Sequence, residues 1–230
     1  MSVQSVGLYT GPTPPRLPVE PSAQSNFGKG GVFRLIDIAV ALVALIFFLP
    51  VMVLIALAIY AQDRGPVVFA HQRLGQNGRR FPCLKFRSMV NDADRVLRDV
   101  LSSNPAMRAE WDRDHKLRDD PRITPLGNFL RRTSLDELPQ LINILRGDMS
   151  LVGPRPIVEG EIPRYGRYIR NYYSVRPGLT GIWQVSGRSN VTYRRRVAMD
   201  VVYARCASLG LNIRILLATV PAVLTSRGSC

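Results

Sequence analysis

The chain has few of the residues on which many hydrolases and metalloenzymes depend. Its 230 residues include 3 cysteines, none in a CxxC pair, and 2 histidines, His71 and His115, far apart in the sequence. This pattern supports neither a zinc knuckle nor a disulfide framework. The P-loop, HExxH, GxSxG and dinucleotide-binding motifs are also absent. The sequence therefore gives no support to histidine-based acid–base chemistry or to those enzyme classes.

Acidic residues are scarce as well. The chain has 17 of them against 31 Lys and Arg, which gives a formal net charge of +14. Such an excess favours partners of opposite charge, namely nucleic acid, an anionic membrane or phosphorylated substrates. The length suits one domain with a core of its own.

One long apolar stretch dominates the N-terminal part of the chain. From Ile38 to Tyr60, 23 residues carry no formal charge. A continuous helix of this length reaches roughly 35 Å, which is enough to cross a bilayer core. Pro50 favours a bend near its middle. Arg34 and Arg64 flank both ends, so the positive-inside rule selects no orientation, and both a spanning and a re-entrant helix are allowed.

The remaining chain has a globular pattern. Residues 67–70 and 81–89 are predicted strands around a turn at residues 75–78. In the second strand Lys85 and Arg87 would share one face, with core residues on the other. The apolar but interrupted segment from residue 197 to 224 predicts either amphipathic helices in the membrane interface or ordinary core helices.

Two adjacent carboxylates stand in the most informative stretch, residues 131–141. Apolar spacing predicts an amphipathic helix over residues 136–145, with Ser134 and Glu137 spaced as a capping box and Gly147 as the C-terminal stop. Asp136 and Glu137 then lie at a helix N-terminus beside Arg131. Two interpretations remain open. The acids complement the helix dipole, or they act as a nucleophile and metal ligands that must stay open to solvent or bilayer.

Two further segments offer groups that bind phosphate or nucleotide. Prolines on both sides restrict Arg155, and a guanidinium held in this way suits bidentate phosphate binding. The glycine-rich segment 177–188 carries Gln184 and Arg188 and could contact a nucleotide. Each segment is equally compatible with a structural turn.

Three strings taken together resemble the bacterial sugar transferase family, which comprises monotopic polyprenyl-phosphate phosphoglycosyl transferases. They are CLKFRSM at residues 83–89, DDPRITPLGNFLRRTSLDELPQLINILRGDMSLVGPRP at 119–156 and RPGLTGIWQVSGR at 176–188. The similarity covers about residues 32–228. Within the family it is greatest to the undecaprenyl-phosphate galactose phosphotransferases that begin exopolysaccharide synthesis.

The resemblance implies a reaction and a set of site residues. A UDP-sugar gives its hexose 1-phosphate, here galactose, to undecaprenyl phosphate and releases UMP; the same reaction with UDP-glucose or another UDP-sugar is the alternative. Asp136 is the expected nucleophile, and Glu137 assists in metal or proton handling. Mg²⁺, or alternatively Mn²⁺, would be held by Asp136 and Glu137. The residues expected near the phosphates are Lys85, Arg87, Arg131 and Arg155, with Gln184 and Arg188 near the nucleotide or the acceptor.

The resemblance also implies an α+β fold and a location. We expect a monotopic protein on the cytoplasmic face of the bacterial inner membrane, with anionic lipids around it and a homodimer as one assembly to consider. A membrane-tethered nucleic-acid binder is the rival, but no stacking-aromatic motif accompanies the basic residues, so nucleic acid is not an expected partner. The expected divisions are a flexible tail (1–31), a re-entrant membrane helix (32–61), a small α/β catalytic domain (62–196) and amphipathic interfacial helices (197–230).

Overall fold

The structure, a computed structural model, describes residues 31–114, 117–187 and 191–224. The predicted tail therefore lies outside it except for Gly31. Within these ranges the fold mixes ten α-helices with two small sheets. The helices are α1 Gly31–Asp63, α2 Ala93–Ser103, α3 Pro105–Asp114, α4 Pro125–Thr133, α5 Gln140–Arg146, α6 Ile162–Tyr165, α7 Ile169–Tyr173, α8 Ile182–Ser186, α9 Tyr193–Cys206 and α10 Leu209–Leu224. The strands are β1 Val68–Leu74, β2 Arg80–Phe86, β3 Ser150–Val152 and β4 Gly178–Thr180.

The predicted strand–turn–strand unit is confirmed as an antiparallel hairpin. Strand β1 pairs with β2, with Val68 opposite Phe86 and Leu74 opposite Arg80. Asn77 takes a left-handed conformation (φ 57°) in the connection, which asparagine tolerates better than most residues. The hairpin presents Lys85, near the end of β2, to the helices packed behind it.

A second sheet brings together two motifs that are separate in the sequence. Strand β3 runs parallel to β4, and the amide of Gly153 donates to the carbonyl of Thr180 at 2.9 Å. The amide of Gly178 donates to the carbonyl of Pro154 at 2.8 Å. A Cβ on Gly178 would lie 2.0 Å from the Gly153 nitrogen. Only glycine allows this approach, so the turn that carries Arg155 lies directly beside β4.

The N-terminal end of α1 is fastened to the folded domain by polar groups. The Arg34 guanidinium donates to the carbonyls of Ile144 and Leu145, at 2.7 and 3.0 Å, at the end of α5. The Asp37 carboxylate accepts from the amide of Leu151 at 3.0 Å. The Arg34 bonds add donors to carbonyls at the C-terminus of α5, and the Asp37 bond joins α1 to β3.

The C-terminal end of α1 packs on another part of the same domain. Ile55 and Ile59 are buried in a cluster with Phe86 and Leu130. Leu138 packs against this cluster and also against the one that contains Ala41, nearer the start of α1. Both ends of the helix therefore contact the same body of protein.

The middle of α1 is left uncovered, and Pro50 lies within the helix. Ile46 and Phe47 expose 65% and 72% of their surface. Among the described residues α1 is the helix long and apolar enough to cross a membrane, and only 11% of its most apolar window is buried. This confirms one long apolar N-terminal helix.

Helix α10 has an apolar face of its own. Leu209, Ile213, Leu217 and Val220 are exposed along it, and their spacing places them on one side of a helix. Ile215, on another side, is buried in the core. The helix therefore joins the core and still presents apolar surface. Helix α9, which precedes it, is continuous across residues 196 and 197, where the sequence suggested a division.

A buried acid lies on α9 away from the hairpin. The Asp200 carboxylate is 3% exposed and accepts a hydrogen bond from the Tyr165 hydroxyl at 2.7 Å. Burial raises the pKa of Asp200 to about 7, although the Tyr165 hydrogen bond and the charge of Arg196 oppose this. The folded protein therefore holds the Asp200 proton more tightly than the unfolded chain does.

We expect Asp200 to make the free energy of unfolding decrease between about pH 4 and about pH 7. The folded state keeps its proton across this window and the unfolded state loses it, so the stabilisation is complete below the window and is lost as the pH rises through it. Asp200→Asn should remove a change on the order of 4 kcal/mol. Chemical unfolding at several pH values measures it, with exposed Asp99→Asn as the control. Equal pH slopes for wild type and Asp200→Asn would contradict the assignment.

Candidate active site

The turn that carries the two carboxylates follows the end of α4. Thr124 caps the start of that helix, since its Oγ1 accepts from the amide of Gly127 at 2.9 Å. At the other end Ser134 is left-handed (φ 59°), and its amide closes α4 by donating to carbonyls of the last turn. The predicted capping box of Ser134 and Glu137 is wrong, because the Ser134 side chain makes no capping bond; the residue lies between the end of α4 and the next helical turn.

Asp136 and Glu137 lie in a 3₁₀ turn, Leu135–Glu137, that leads into α5. The predicted helix over residues 136–145 thus exists as this turn followed by α5. It ends at Gly147, as predicted, with a left-handed φ of 89°. Asp136 and Gln140 are four residues apart in a nearly continuous helical segment, so both face the same side.

Lys85 lies between the two carboxylates. Its Nζ is 2.6 Å from Glu137 Oε1 and 3.6 Å from Asp136 Oδ2. The buried Asn143 side chain holds β2 in this place, because its Oδ1 accepts from the Leu84 amide at 2.9 Å and its Nδ2 donates to the Pro82 carbonyl at 2.8 Å. The structure thus brings together three residues that the sequence nominated.

Asp136 is nearly covered, but its side chain is not sealed, since 9% of it remains exposed. Burial is the main cause that raises the pKa of this carboxyl, and the charge of Glu137 adds to it. Lys85 and Arg131 act in the opposite direction. A partly desolvated carboxylate with neighbouring cations is poorly hydrated, which favours reaction with an electrophile.

The other two cations predicted for this region, Arg131 and Arg87, lie in different surroundings. Arg131 Nε donates to Ser88 Oγ at 2.8 Å, and the charge of Asp136 acts on the Arg131 guanidinium, so Arg131 is close to the carboxylates. Arg87 instead pairs with Asp63 at the end of α1 and with Asn91. Arg87 therefore joins the hairpin to the membrane helix and does not line the cleft described next.

A small cleft opens beside Lys85 and Glu137, with a volume of about 290 Å³ including its mouth. It contains the predicted residues Arg155 and Gln184. Arg188 lies outside the described residues. The complete lining is Arg73, Cys83, Lys85, Glu137, Gln140, Arg155, Pro156, Gly178, Leu179 and Gln184.

Gln184 carries a buried oxygen with no hydrogen-bond partner among the described residues. Its Nε2 donates to the Leu179 carbonyl at 3.2 Å, and this fixes which end of the amide is the oxygen. An unpaired buried acceptor costs free energy. It therefore suits a ligand with a hydroxyl or N–H donor, and not a bare phosphate oxygen.

Sequence reasoning missed Arg73 and Gln140. Gln140 carried a signal, since it follows Asp136 by four residues in a predicted helix. Arg73 carried none, because it lies between the predicted strand at residues 67–70 and the predicted turn at residues 75–78. The bridge between Leu74 and Ile157, which joins β1 to the segment after Arg155, turns Arg73 towards the cleft.

The paired acids are suited to a hard divalent cation. Groups of three or more His, Cys, Asp and Glu are absent from the described part of the chain, so a complete protein cage is not present there. Mg²⁺ is commonly held by one or two carboxylates together with substrate phosphates. The two oxygen donors Asp136 and Glu137 fit that arrangement, with Lys85 as a competing cation.

A cation-lined cleft that contains Glu137 and lies beside Asp136, on a domain that bears a long apolar helix, fits a phosphotransferase that associates with a membrane. The family model of the bacterial sugar transferases matches residues 29–226. The chain belongs to the bacterial sugar transferase family and is a phosphoglycosyl transferase.

Relatives with related names cover most of the chain. An exopolysaccharide production protein, ExoY, from Sinorhizobium fredii is 48% identical over 87% of this chain and 89% of its own length. The undecaprenyl-phosphate galactose phosphotransferase of Salmonella typhimurium is 48% identical over 90% of this chain. The UDP-glucose:undecaprenyl-phosphate glucose-1-phosphate transferase of Escherichia coli is 39% identical over 83%. The chain spans only 44% and 40% of the lengths of the last two.

Because burial raises the pKa of Asp136, its charge is held at a cost to stability at neutral pH. We expect Asp136→Asn to raise the melting temperature at pH 7 by a few degrees, while Lys85 keeps Glu137 as its partner. Thermal unfolding of the detergent-solubilised full chain measures this, with exposed Asp94→Asn as the control. A lower melting temperature for Asp136→Asn alone would contradict the expectation.

Proposed function

We propose that this protein transfers a hexose 1-phosphate from a UDP-sugar to undecaprenyl phosphate and releases UMP, as the first membrane step of exopolysaccharide synthesis. The observation that carries the proposal is the contact of Lys85 with both Asp136 and Glu137 at the edge of a cleft that also contains Arg73 and Arg155. A nucleophile beside convergent cations is what transfer between two phosphorylated substrates requires.

The first step of the proposed reaction is attack by an Asp136 carboxylate oxygen on the β-phosphorus of the UDP-sugar. An acyl phosphate bond forms, and the bond from that phosphorus to the bridging oxygen breaks. UMP leaves with this oxygen and its electron pair. Lys85 and Arg155 are suited to offset charge on the phosphates, because their cationic groups line the same cleft.

In the second step an oxygen of undecaprenyl phosphate attacks the same phosphorus. The bond to Asp136 breaks, the carboxylate is restored and undecaprenyl diphosphate hexose is released. Because UMP departs before the acceptor reacts, the kinetics should be ping-pong. Glu137 is placed to assist proton or metal handling, since it lines the cleft and contacts Lys85.

We also propose that Asp136 and Glu137 hold Mg²⁺, with Mn²⁺ as a substitute. When bound, such an ion offsets negative charge on the diphosphate. The adjacent carboxylate oxygens support this assignment. Loss of turnover on chelation, with recovery on adding Mg²⁺, would support it, whereas full activity in excess chelator would exclude it.

Galactose is the sugar we propose. Two relatives at 48% identity are named for galactose, the Salmonella typhimurium enzyme and a UDP-galactose-lipid carrier transferase of Erwinia amylovora. Relatives named for glucose are 39% identical. Turnover compared over a panel of UDP-sugars tests the choice.

We further propose that α1 enters and leaves the membrane on one face, the cytoplasmic face of the inner membrane. A straight helix of 33 residues is about 50 Å long, so a spanning α1 would hold its ends on opposite sides of a bilayer. Yet Arg34 and Asp37 near one end, and Ile59 and Asp63 near the other, all contact the same domain. These contacts, with the exposed apolar middle, favour re-entry.

We expect Asp136→Asn to lower UMP release by at least about a thousandfold, because the amide cannot form the acyl phosphate. Wild-type protein given a radiolabelled UDP-sugar without acceptor should retain label, and adding undecaprenyl phosphate should discharge it. Exposed Arg170→Gln on α7 is the control. Near-normal release by Asp136→Asn would remove the nucleophile, and repeated failure to trap label would favour direct transfer.

Cysteine labelling tests the path of α1. In a Cys206→Ser, Cys230→Ser background, Val32→Cys and Gln62→Cys should both resist an impermeant maleimide in intact spheroplasts and both react in inverted vesicles. A spanning helix would expose one of the two positions to the outside. Opposite labelling of these positions would therefore contradict re-entry.

A further inference from the structure

Two arginines far apart in the sequence share one tryptophan ring. The guanidinium carbon of Arg155 is 6.0 Å from the Trp183 ring centroid, and that of Arg196, on α9, is 4.7 Å from it. Trp183 itself is 6% exposed. Contact with a buried aromatic face limits the freedom of a guanidinium and lowers the entropy it loses on binding a ligand.

A third arginine approaches from the hairpin. Arg73 Nη1 donates to the carbonyl of Pro156, the residue after Arg155, at 3.3 Å, and both arginines line the cleft. The nearest carboxylate to Arg73 is that of Glu161, at 3.9 Å. We call Arg73, Arg155 and Arg196 the arginine cluster.

Carboxylates offset part of the charge of two members of this cluster, since Glu161 acts on both Arg73 and Arg196 and Asp200 acts on Arg196. Arg155 is exposed and makes neither a hydrogen bond nor an ion pair with any residue that the structure describes. Glu161 already accepts from the amide of Val158 at 2.9 Å and from the Tyr193 hydroxyl at 3.2 Å. The donors of Arg155 are therefore open to a ligand.

The positive charges of the arginine cluster also act on one another. Burial is the main cause that lowers the pKa of both Arg73 and Arg196, and the charge of Arg155 is the next cause for each. Three cations in such an arrangement repel one another, and an anion between them relieves the repulsion. A planar guanidinium matches phosphate oxygens in two-point contact.

We propose that the arginine cluster binds one phosphoryl group of a substrate, with Trp183 positioning Arg155 and Arg196. The proposal deepens the proposed function and rests on it for the source of the phosphate. That source is either the diphosphate of the nucleotide sugar or the monophosphate of the lipid acceptor. In this arrangement Lys85 offsets charge on the phosphoryl group that Asp136 attacks, and the arginine cluster binds a different phosphate, farther from Asp136.

The first test measures anion binding without turnover. The chain has 2 tryptophans, so Trp111→Phe leaves Trp183 as the reporter. Inorganic pyrophosphate, titrated at constant ionic strength into the detergent-solubilised full chain, should change the Trp183 fluorescence saturably. In this background Arg73→Gln, Arg155→Gln and Arg196→Gln should each weaken the apparent affinity about tenfold, and Arg170→Gln should leave it unchanged.

The second test identifies the source. In a ping-pong enzyme kcat/KM for the UDP-sugar reports only the first half-reaction, and kcat/KM for undecaprenyl phosphate reports only the second. If only kcat/KM for the UDP-sugar falls in the three variants, the cluster binds the donor diphosphate. If only kcat/KM for undecaprenyl phosphate falls, the cluster binds the acceptor phosphate. Either result supports the proposal.

Unchanged pyrophosphate affinity in all three variants overturns the proposal, whatever the kinetics. Arg155 is exposed, so its variant should fold even if the more buried Arg73 and Arg196 variants do not, and thermal unfolding checks each. If the wild type turns over no UDP-sugar while the variants still lose pyrophosphate affinity, the proposed function fails and the anion site stands.

Discussion

The site depends on keeping one carboxylate charged where water is largely excluded. Asp136 is 7% exposed, and burial raises its pKa. The ammonium of Lys85 and the guanidinium of Arg131 counter that cost. Asn143 helps to hold Lys85 in this place, because its side chain bonds two backbone groups of β2 from α5. A buried amide thus joins the strand that carries the cation to the helix that follows the acids.

A few polar side chains also attach the apolar helix α1 to the domain. The Arg34 guanidinium donates to two carbonyls at the end of α5, and the Asp37 carboxylate accepts from the amide of Leu151 in β3. Asp63 pairs with Arg87 at the end of β2. Both ends of α1 are therefore attached to the elements that carry Asp136 and Lys85. In the proposed re-entrant arrangement, this attachment would place the cleft close to the lipid boundary, within reach of the two proposed phosphorylated substrates.

Sequence patterns predicted much of this arrangement because they report local requirements. The uncharged stretch predicted the helix, the spacing of apolar residues predicted α5, and Gly147 marked its end. Ser134 was interpreted wrongly, since its spacing from Glu137 fits a capping box whereas its backbone closes α4. Local spacing cannot distinguish a serine that caps the following helix from one that closes the preceding helix, because the difference depends on whether a helix precedes the serine. The α4 helix, which Thr124 caps ten residues upstream of Ser134, was not foreseen.

By itself the sequence determined the family, the apolar anchor and the identity of the paired acids, because these are properties of contiguous residues. Tertiary structure decided which cations face those acids. Lys85 and Arg87 are two residues apart and were predicted to share one face, yet one contacts Glu137 and the other Asp63. Arg73, Arg155 and Arg196 converge only because β1 approaches the segment after Arg155 and Trp183 lies between α8 and α9. Convergence over such distances arises from packing, which no local pattern encodes.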